Sequence, residues 1–459
     1  MENKQGLQKQ LKTRHITMIS LGGIIGAGLF VGAGAVVRST GPAAVVSYAF
    51  AGLLVVFLMR MLGEMAARNP DSGSFATYAR EAIGSWAGFT IGWLYWFFWV
   101  IVIAIEAVAG GAILHEWVPG IPIWIWSLVL TFLLTLTNIF SVKSFAEFEY
   151  WFALIKIVAI TVFMGIGIAI ILHLFPSIKA PGTSNLIGHG GFIPKGPSSI
   201  FLGVATVIFS YFGAEIAAIA AGESENPQKT ISIAIKSVVW RILLFYIGSV
   251  AILVTLLPWD STTALKSPYV TLLDMIGIPG AGTIMNAVVL TSVLSCLNSA
   301  LYTNSRMIYS LAQRGDAPKA FLKLSKNGVP VRAVWAGTVV AFIAAIFNFI
   351  SPDKVFQFLV NASGAIALLV YLAIVVSHII LRRRATAAKE TLTLKMWLFP
   401  GLSYFVIFAI AVILISMAFI DSMKSQLYLT ILLTAAVILS YFLFGNRSKQ
   451  SEQTNSLKG

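Results

Sequence analysis

Five ionisable side chains stand inside long apolar runs of this sequence: Arg60, Glu64, Glu106, Lys156 and Glu215. A charged group at the centre of a bilayer costs at least about 2.5 to 3.5 kcal/mol, so each asks for a partner or a purpose. Arg60 and Glu64 are four residues apart and share a helix face, so a self-neutralising ion pair is the expected reading. Lys156, in Trp151-Phe152-Ala153-Leu154-Ile155-Lys156-Ile157-Val158, lies about 10 Å into its run at 1.5 Å per residue. Its stem can snorkel to the interface, or its ammonium can stay buried among apolar side chains. Glu215 can cap the chain or pair with a cation such as Arg241. Glu106 can be neutralised by the scaffold or can itself neutralise a bound ammonium.

Two of the apolar runs are poor continuous helices. The first contains Gly22-Gly23-Ile24-Ile25-Gly26-Ala27-Gly28-Leu29-Phe30-Val31-Gly32-Ala33-Gly34, although glycine costs about 1 kcal/mol against alanine in a helix interior. Close helix packing explains such a run as well as unwinding does, because Gly22 and Gly26, and Gly28 and Gly32, are spaced for it. The sixth run places Ser210-Tyr211-Phe212-Gly213-Ala214-Glu215 at mid-depth and shifts the balance toward unwinding. Runs one and six are what an inverted repeat of five helices would interrupt, and such paired interruptions point to a transporter's binding site. Opened segments offer N–H groups to a carboxylate, and carbonyls and aromatic faces to an ammonium. A zwitterion fits. Tyr211 and Phe212 are the aromatic candidates for contact, and Asn298 and Ser299 in the eighth run offer further polar groups.

These features presuppose a membrane. Of 459 residues 58% are hydrophobic and only 11% are charged, whereas a soluble surface of this size needs about a quarter charged. Runs of about 20 apolar residues fall at 17–37, 43–67, 86–114, 122–140, 150–174, 199–221, 238–258, 281–305, 333–351, 355–380, 396–419 and 426–444. With the N-terminus in the cytoplasm, outside segments hold only Arg38, Lys179, Lys195, Lys266, Lys354 and Lys424. Arg60, Lys156 and Arg241 lie in or beside spans, and the remainder of the 32 basic residues are inside. Both termini are thus expected in the cytoplasm. This accounts for the net charge of +14 through topology and anionic lipid rather than nucleic acid. A signal-peptide reading of the basic start is weaker than an uncleaved span. The basic segment Arg306 to Arg332 is expected to be a solvated or lipid-facing loop.

Gly23-x-Ile25-Gly26-Ala27-Gly28-Leu29-Phe30, after Leu11-Lys12-Thr13-Arg14-His15, resembles the opening of the amino acid permeases of the amino acid/polyamine/organocation superfamily. Arg60-Met61-Leu62-Gly63-Glu64-Met65, Glu147-Phe148-Glu149-Tyr150-Trp151, Glu223-Ser224-Glu225-Asn226-Pro227 and Ser295-Cys296-Leu297-Asn298-Ser299 extend the likeness. Within that family the wording, including Ser363-Gly364-Ala365-Ile366-Ala367 and Lys395-Met396-Trp397-Leu398-Phe399-Pro400, is nearest to bacterial gamma-aminobutyrate permeases.

The resemblance implies an all-α membrane protein of twelve helices: a leucine-transporter-like 5+5 inverted repeat over 17–174 and 199–380, with helices 1 and 6 unwound, and helices 11 and 12 over 396–444. Short cytoplasmic segments at 1–16 and 445–459 flank it. It implies proton-coupled amino acid uptake through the plasma membrane by alternating access. Substrate is expected at Ile25, Gly26, Ala27, Gly28, Glu106, Ser210, Tyr211, Phe212, Gly213 and Asn298. Proton coupling is expected at Lys156 and Glu215, with the Lys156 ammonium on helix 1 carbonyls such as those of Gly22 and Gly23.

Rival classes are a membrane enzyme and a channel. The five histidines lack metal-ligand spacing, no Gly-x-x-x-x-Gly-Lys loop is present, and Cys296 stands alone, so neither metal, nucleotide nor disulfide chemistry is expected. No cofactor is called for. The expected partners are an amino acid, a proton and membrane lipid. Sequence leaves open gamma-aminobutyrate against another amino acid, and the oligomeric state.

Overall fold

A computed structural model describes residues 11–22, 25–30, 32–175, 178, 181–221, 223–224, 227–262, 265, 267–275, 277, 279–350, 363 and 365–445. Gly23, Gly364, Glu225, Asn226, the N-terminal ten residues and the tail after Gly445 lie outside the described residues, as does the side chain of Arg241. Apolar sequence without water must satisfy its amides internally, and helices do this one segment at a time. The chain obliges. Its first half comprises α1 (Thr13–Gly22), α2 (Ala27–Phe30), α3 (Gly32–Thr40), α4 (Ala44–Arg68), α5 (Ser74–Ala82), α6 (Ser85–Trp117), α7 (Ile123–Phe140) and α8 (Val142–Ile171). After the short α9 (Ser184–Ile187) come α10 (Ser198–Tyr211), α11 (Ile216–Ala221), α12 (Pro227–Ile242), α13 (Ser249–Leu256), α14 (Pro268–Asp274) and α15 (Ala281–Gln313). The chain continues through α16 (Val331–Ile350), α17 (Ile366–Ala387), α18 (Gly401–Phe419) and α19 (Asp421–Ser440).

Among the described residues there is no strand, only an isolated bridge between Leu11 and Ser224. Among the described residues eight helical stretches are long and apolar enough to cross a bilayer, the first running from Gly28 to Arg68, and Ser198–Ile208, Leu243–Leu256 and Val331–Phe347 are shorter apolar stretches. The molecule is a multi-pass membrane protein. Large apolar side chains of α18 and α19, among them Phe408, Phe419 and Leu432, face outward, as surfaces against lipid do. Inside the bundle α15 is the central post, packing on α6, α7, α8 and α16, while α4 packs on α10 and α12.

Helices outrun their apolar stretches at two places, with consequences for charge. The fifth apolar run was expected to begin at 150, yet α8 begins at Val142 with Ser141 capping the Ser144 amide at 2.9 Å. The eighth was expected to end at 305, yet α15 continues to Gln313. Arg306 therefore belongs to a helix rather than to a solvated loop. It is buried against Glu223, with Nε 2.9 Å from Oε1, beneath the Tyr302 ring and beside the Tyr302 hydroxyl, which donates to the same oxygen at 2.8 Å. The Leu11 amide donates to the Glu223 carbonyl at 3.2 Å, so the start of the described chain is fastened over this pair.

The expected pair of Arg60 and Glu64 is also replaced by other partners. Arg60 donates to the Lys395 carbonyl at 2.9 Å and lies over the Trp397 ring, while Glu64 accepts from Arg382 and from the Met396 amide, both at 2.6 Å. Each charge on this face of α4 thus holds the connection between α17 and α18. That connection offers fixed donors and acceptors at lower entropic cost than a contact between two long side chains.

Arg306→Met leaves Glu223 as a buried charge without its cation, a loss on the order of 3 to 5 kcal/mol. The expected result is a melting temperature in detergent several degrees below the parent, largely restored when Glu223→Gln is added.

Candidate functional site

Helical hydrogen bonding stops twice near the centre of the bundle. α1 ends at Gly22 and α2 opens at Ala27, leaving Ile25 and Gly26 outside any helix. α10 ends at Tyr211 and α11 opens at Ile216, with 212–215 forming turns and Gly213 at φ +117°. That dihedral lies in the region that side chains with a Cβ resist, so glycine is what the turn requires. The helices beside the two openings touch. Ser210 Oγ donates to the Gly28 carbonyl at 2.9 Å, and Tyr246 donates through its hydroxyl to the Ser210 carbonyl at 2.8 Å. A β-carbon on Gly28 would lie 3.0 Å from the Ser210 Cα, so this approach also depends on glycine.

Each opening is held by a buried ionisable side chain. The Lys156 ammonium, fully buried on α8, donates to the Ile25 carbonyl at 2.6 Å. Glu215, equally buried, accepts from the Gly213 amide at 3.1 and 3.0 Å and from the Tyr95 hydroxyl of α6 at 3.0 Å. One residue supplies a cation to a carbonyl and the other an anion to an amide. Charge-assisted bonds of this kind are the stronger class, which suits a site where unwound backbone must be satisfied away from water.

On the far side of the first opening stands Glu106. A β-carbon on Gly26 would meet Glu106 Oε1 at 3.1 Å and the Cys296 Cβ at 3.0 Å, so α6 and α15 press directly on the unwound backbone. Phe212 leaves the end of α10 into an aromatic cluster, its ring centroid 4.3 Å from Phe98, 5.2 Å from Tyr371 and 5.7 Å from Tyr95.

The sequence-selected residues separate into three groups. Ile25, Gly26, Gly28, Ser210, Phe212, Gly213, Glu215, Lys156 and Glu106 converge on the openings. Gly22 closes α1, Ala27 begins α2, and Gly23 lies outside the described residues. Tyr211 and Asn298 are directed elsewhere. The Tyr211 hydroxyl donates to the Tyr48 carbonyl of α4 at 3.1 Å, and its ring packs on Tyr246 at 4.5 Å. Asn298 accepts from Asn138 at 2.8 Å and donates to Glu149 Oε2 at 3.2 Å.

Two residues at the site were not singled out as site candidates from sequence. Tyr371 packs on Phe212, and its buried hydroxyl has no hydrogen-bond partner among the described residues, which is uncommon for such a group. Glu149 is fully buried and accepts from Ser295 Oγ at 2.5 Å as well as from Asn298. Its spacing of seven residues from Lys156 places both on one side of α8.

The bundle and its paired openings define a polytopic membrane protein with a small polar centre. A family model described as "Amino acid permease" matches residues 15–454. The gamma-aminobutyric acid permease of Bacillus subtilis is 60% identical over 453 residues, covering 98% of this chain and 96% of the relative. The gamma-aminobutyric acid permease of Escherichia coli is 48% identical over 430 residues, 93% and 92% of the two chains. The aromatic amino acid transport protein AroP of Corynebacterium glutamicum is 40% identical over 459 residues, 99% of each. The chain belongs to the amino acid permease family, and these relatives are transporters rather than enzymes.

Gly28→Val forces a branched side chain against Ser210, an overpacking cost of about 1 to 3 kcal/mol. Uptake of radiolabelled amino acid by cells with equal surface expression is expected to fall about tenfold. Gly165→Ala, where a new methyl group meets nothing within 4 Å, is expected to match the parent.

Proposed function

We propose that this protein imports gamma-aminobutyrate or a closely related amino acid across the plasma membrane, driven by a proton and working by alternating access. The observation that carries the reading is the Lys156 ammonium on the Ile25 carbonyl. A single transferable proton there decides whether the first opening is held by a cation or released. Loss of that proton removes the charge-assisted bond and frees the unwound segment to move with the flanking helices. The substrate carboxylate is read to lie on backbone amides around Gly26 to Gly28. Its ammonium is read to lie toward Glu106 and the aromatic cluster at Phe212, with Glu215 as the gating or proton-sensing acid of the second opening.

The accompanying architecture is twelve spans with repeats over 17–174 and 199–380, two added helices over 396–444, and both termini in the cytoplasm. Basic residues concentrated on one set of loops support that orientation. Support for gamma-aminobutyrate comes from the two relatives described as permeases for it, at 60% and 48% identity. A second reading, an α-amino acid substrate, is favoured by the 40% identity to an aromatic amino acid transporter. Carbon separation between carboxylate and ammonium distinguishes the two. In a competition panel, four-carbon ω-amino acids are expected to displace label best, and dominance of α-amino acids would select the second reading.

Lys156→Met is expected to abolish proton-driven accumulation in proteoliposomes while substrate counterflow continues. Accumulation at the parent level would remove Lys156 from the coupling step.

A further inference from the structure

Glu149 is the second fully buried acid near the first opening, and nothing in the transport cycle described above uses it. Its carboxylate is held on both oxygens by α15: Ser295 Oγ donates to Oε1 at 2.5 Å and Asn298 Nδ2 donates to Oε2 at 3.2 Å. The orientation of Asn298 is fixed in turn, since its Oδ1 accepts from Asn138 Nδ2 at 2.8 Å and from Thr137 Oγ1 at 3.3 Å, both on α7. Three helices therefore converge to keep one acceptor-only group in place. Neutral hydroxyl and amide donors are a small return for burying a charge, which needs a counter-charge in the same low-dielectric region.

The counter-charge is on the same helix. Lys156 lies seven residues further along α8, two turns and about 10 Å away on the same side. The groups packed around this stretch are few. α15 contributes Ser295, Cys296 and Asn298; α6 contributes Glu106; α7 contributes Thr137 and Asn138; and α1 contributes the Ile25 carbonyl. Arg14 and His15 at the start of α1 engage Glu147, not Glu149. Among the described residues the titratable groups that these contacts bring together are Glu106, Glu149, Cys296 and Lys156, two carboxylates and a thiol around one ammonium.

We infer that Glu149 is the standing counter-ion of Lys156, a positioning residue whose fixed negative charge sets how tightly the lysine holds its proton, leaving Glu106 to meet the substrate. This inference rests on the reading of Lys156 as the coupling group. It assigns the acids separate roles by geometry: Glu106 lies against Gly26 at the opening, whereas Glu149 on α8 is bonded to Ser295 and Asn298 of α15.

The test is the external-pH dependence of uptake in proteoliposomes, each variant normalised to its own maximum. In Glu149→Gln the attraction between carboxylate and ammonium is lost, and the pH of half-maximal uptake is expected to move about one unit toward acid. Glu149→Asp is expected to restore most of the parent profile. Ser295→Ala keeps the carboxylate and removes one of its donors; a smaller shift in the same direction is expected and covers the case in which Glu149→Gln does not fold. A purely structural role would lower uptake evenly across pH and leave the midpoint in place in every variant, which overturns the proposal. Lys156→Met, run alongside, separates the two ideas. If it still accumulates substrate, the coupling reading itself fails; if accumulation is lost and no midpoint moves, only the role of Glu149 fails.

Discussion

Unwound backbone inside a membrane must find hydrogen-bond partners within the protein, and that constraint organises this molecule. Two helices stop and restart within the bundle, freeing peptide groups that the helix ladder no longer satisfies. The protein answers with side chains brought from other helices. Lys156 reaches the Ile25 carbonyl from α8, Ser210 reaches the Gly28 carbonyl from α10, and Tyr95 comes from α6 to the carboxylate that holds the Gly213 amide. Every one of these bonds links an opening to a different helix, so a change at the opening is felt by the bundle around it.

Such an arrangement is suited to a small zwitterion. The groups that satisfy the openings are in part the groups a ligand would replace, and the aromatic cluster at Phe212 supplies a face for an ammonium. The charges also divide by depth. Lys156, Glu106 and Glu215 stand at the openings and Glu149 between α8 and α15, while Glu223 and Arg306 form a separate buried pair where Leu11 is fastened. In the proposed cycle the first set exchanges partners with a substrate or a proton. The last, buried and mutually neutralised, is built to hold.

Much of this was legible in the residues. Glycines crowded into Gly22 to Gly34, and Ser210 to Glu215 set into apolar sequence, marked both interruptions because local propensity there contradicts the helix that hydropathy demands. Lys156 announced itself by depth. Side-chain direction was less accessible: Tyr211 is the last residue of α10 and Phe212 the first beyond it, and the turn between them sends one to Tyr48 and the other into the aromatic cluster. Charges near the ends of apolar runs were misjudged for a related reason. Hydropathy measures where lipid begins, not where a helix ends, so Arg306 was assigned to a loop, while α15 carries it into the protein. Arg60 and Glu64 share a helix face as spacing requires, but partners distant in sequence compete for both, and spacing is blind to them.

The most direct test of the account is an experimental structure with gamma-aminobutyrate bound. The account predicts ligand density between the two openings, its carboxylate about 3 Å from backbone nitrogens of the segment Gly26 to Gly28, and its ammonium beside Glu106 and the Phe212 cluster. Ligand density elsewhere in the bundle, with Ser210 still bonded to Gly28 and both openings untouched, would contradict it.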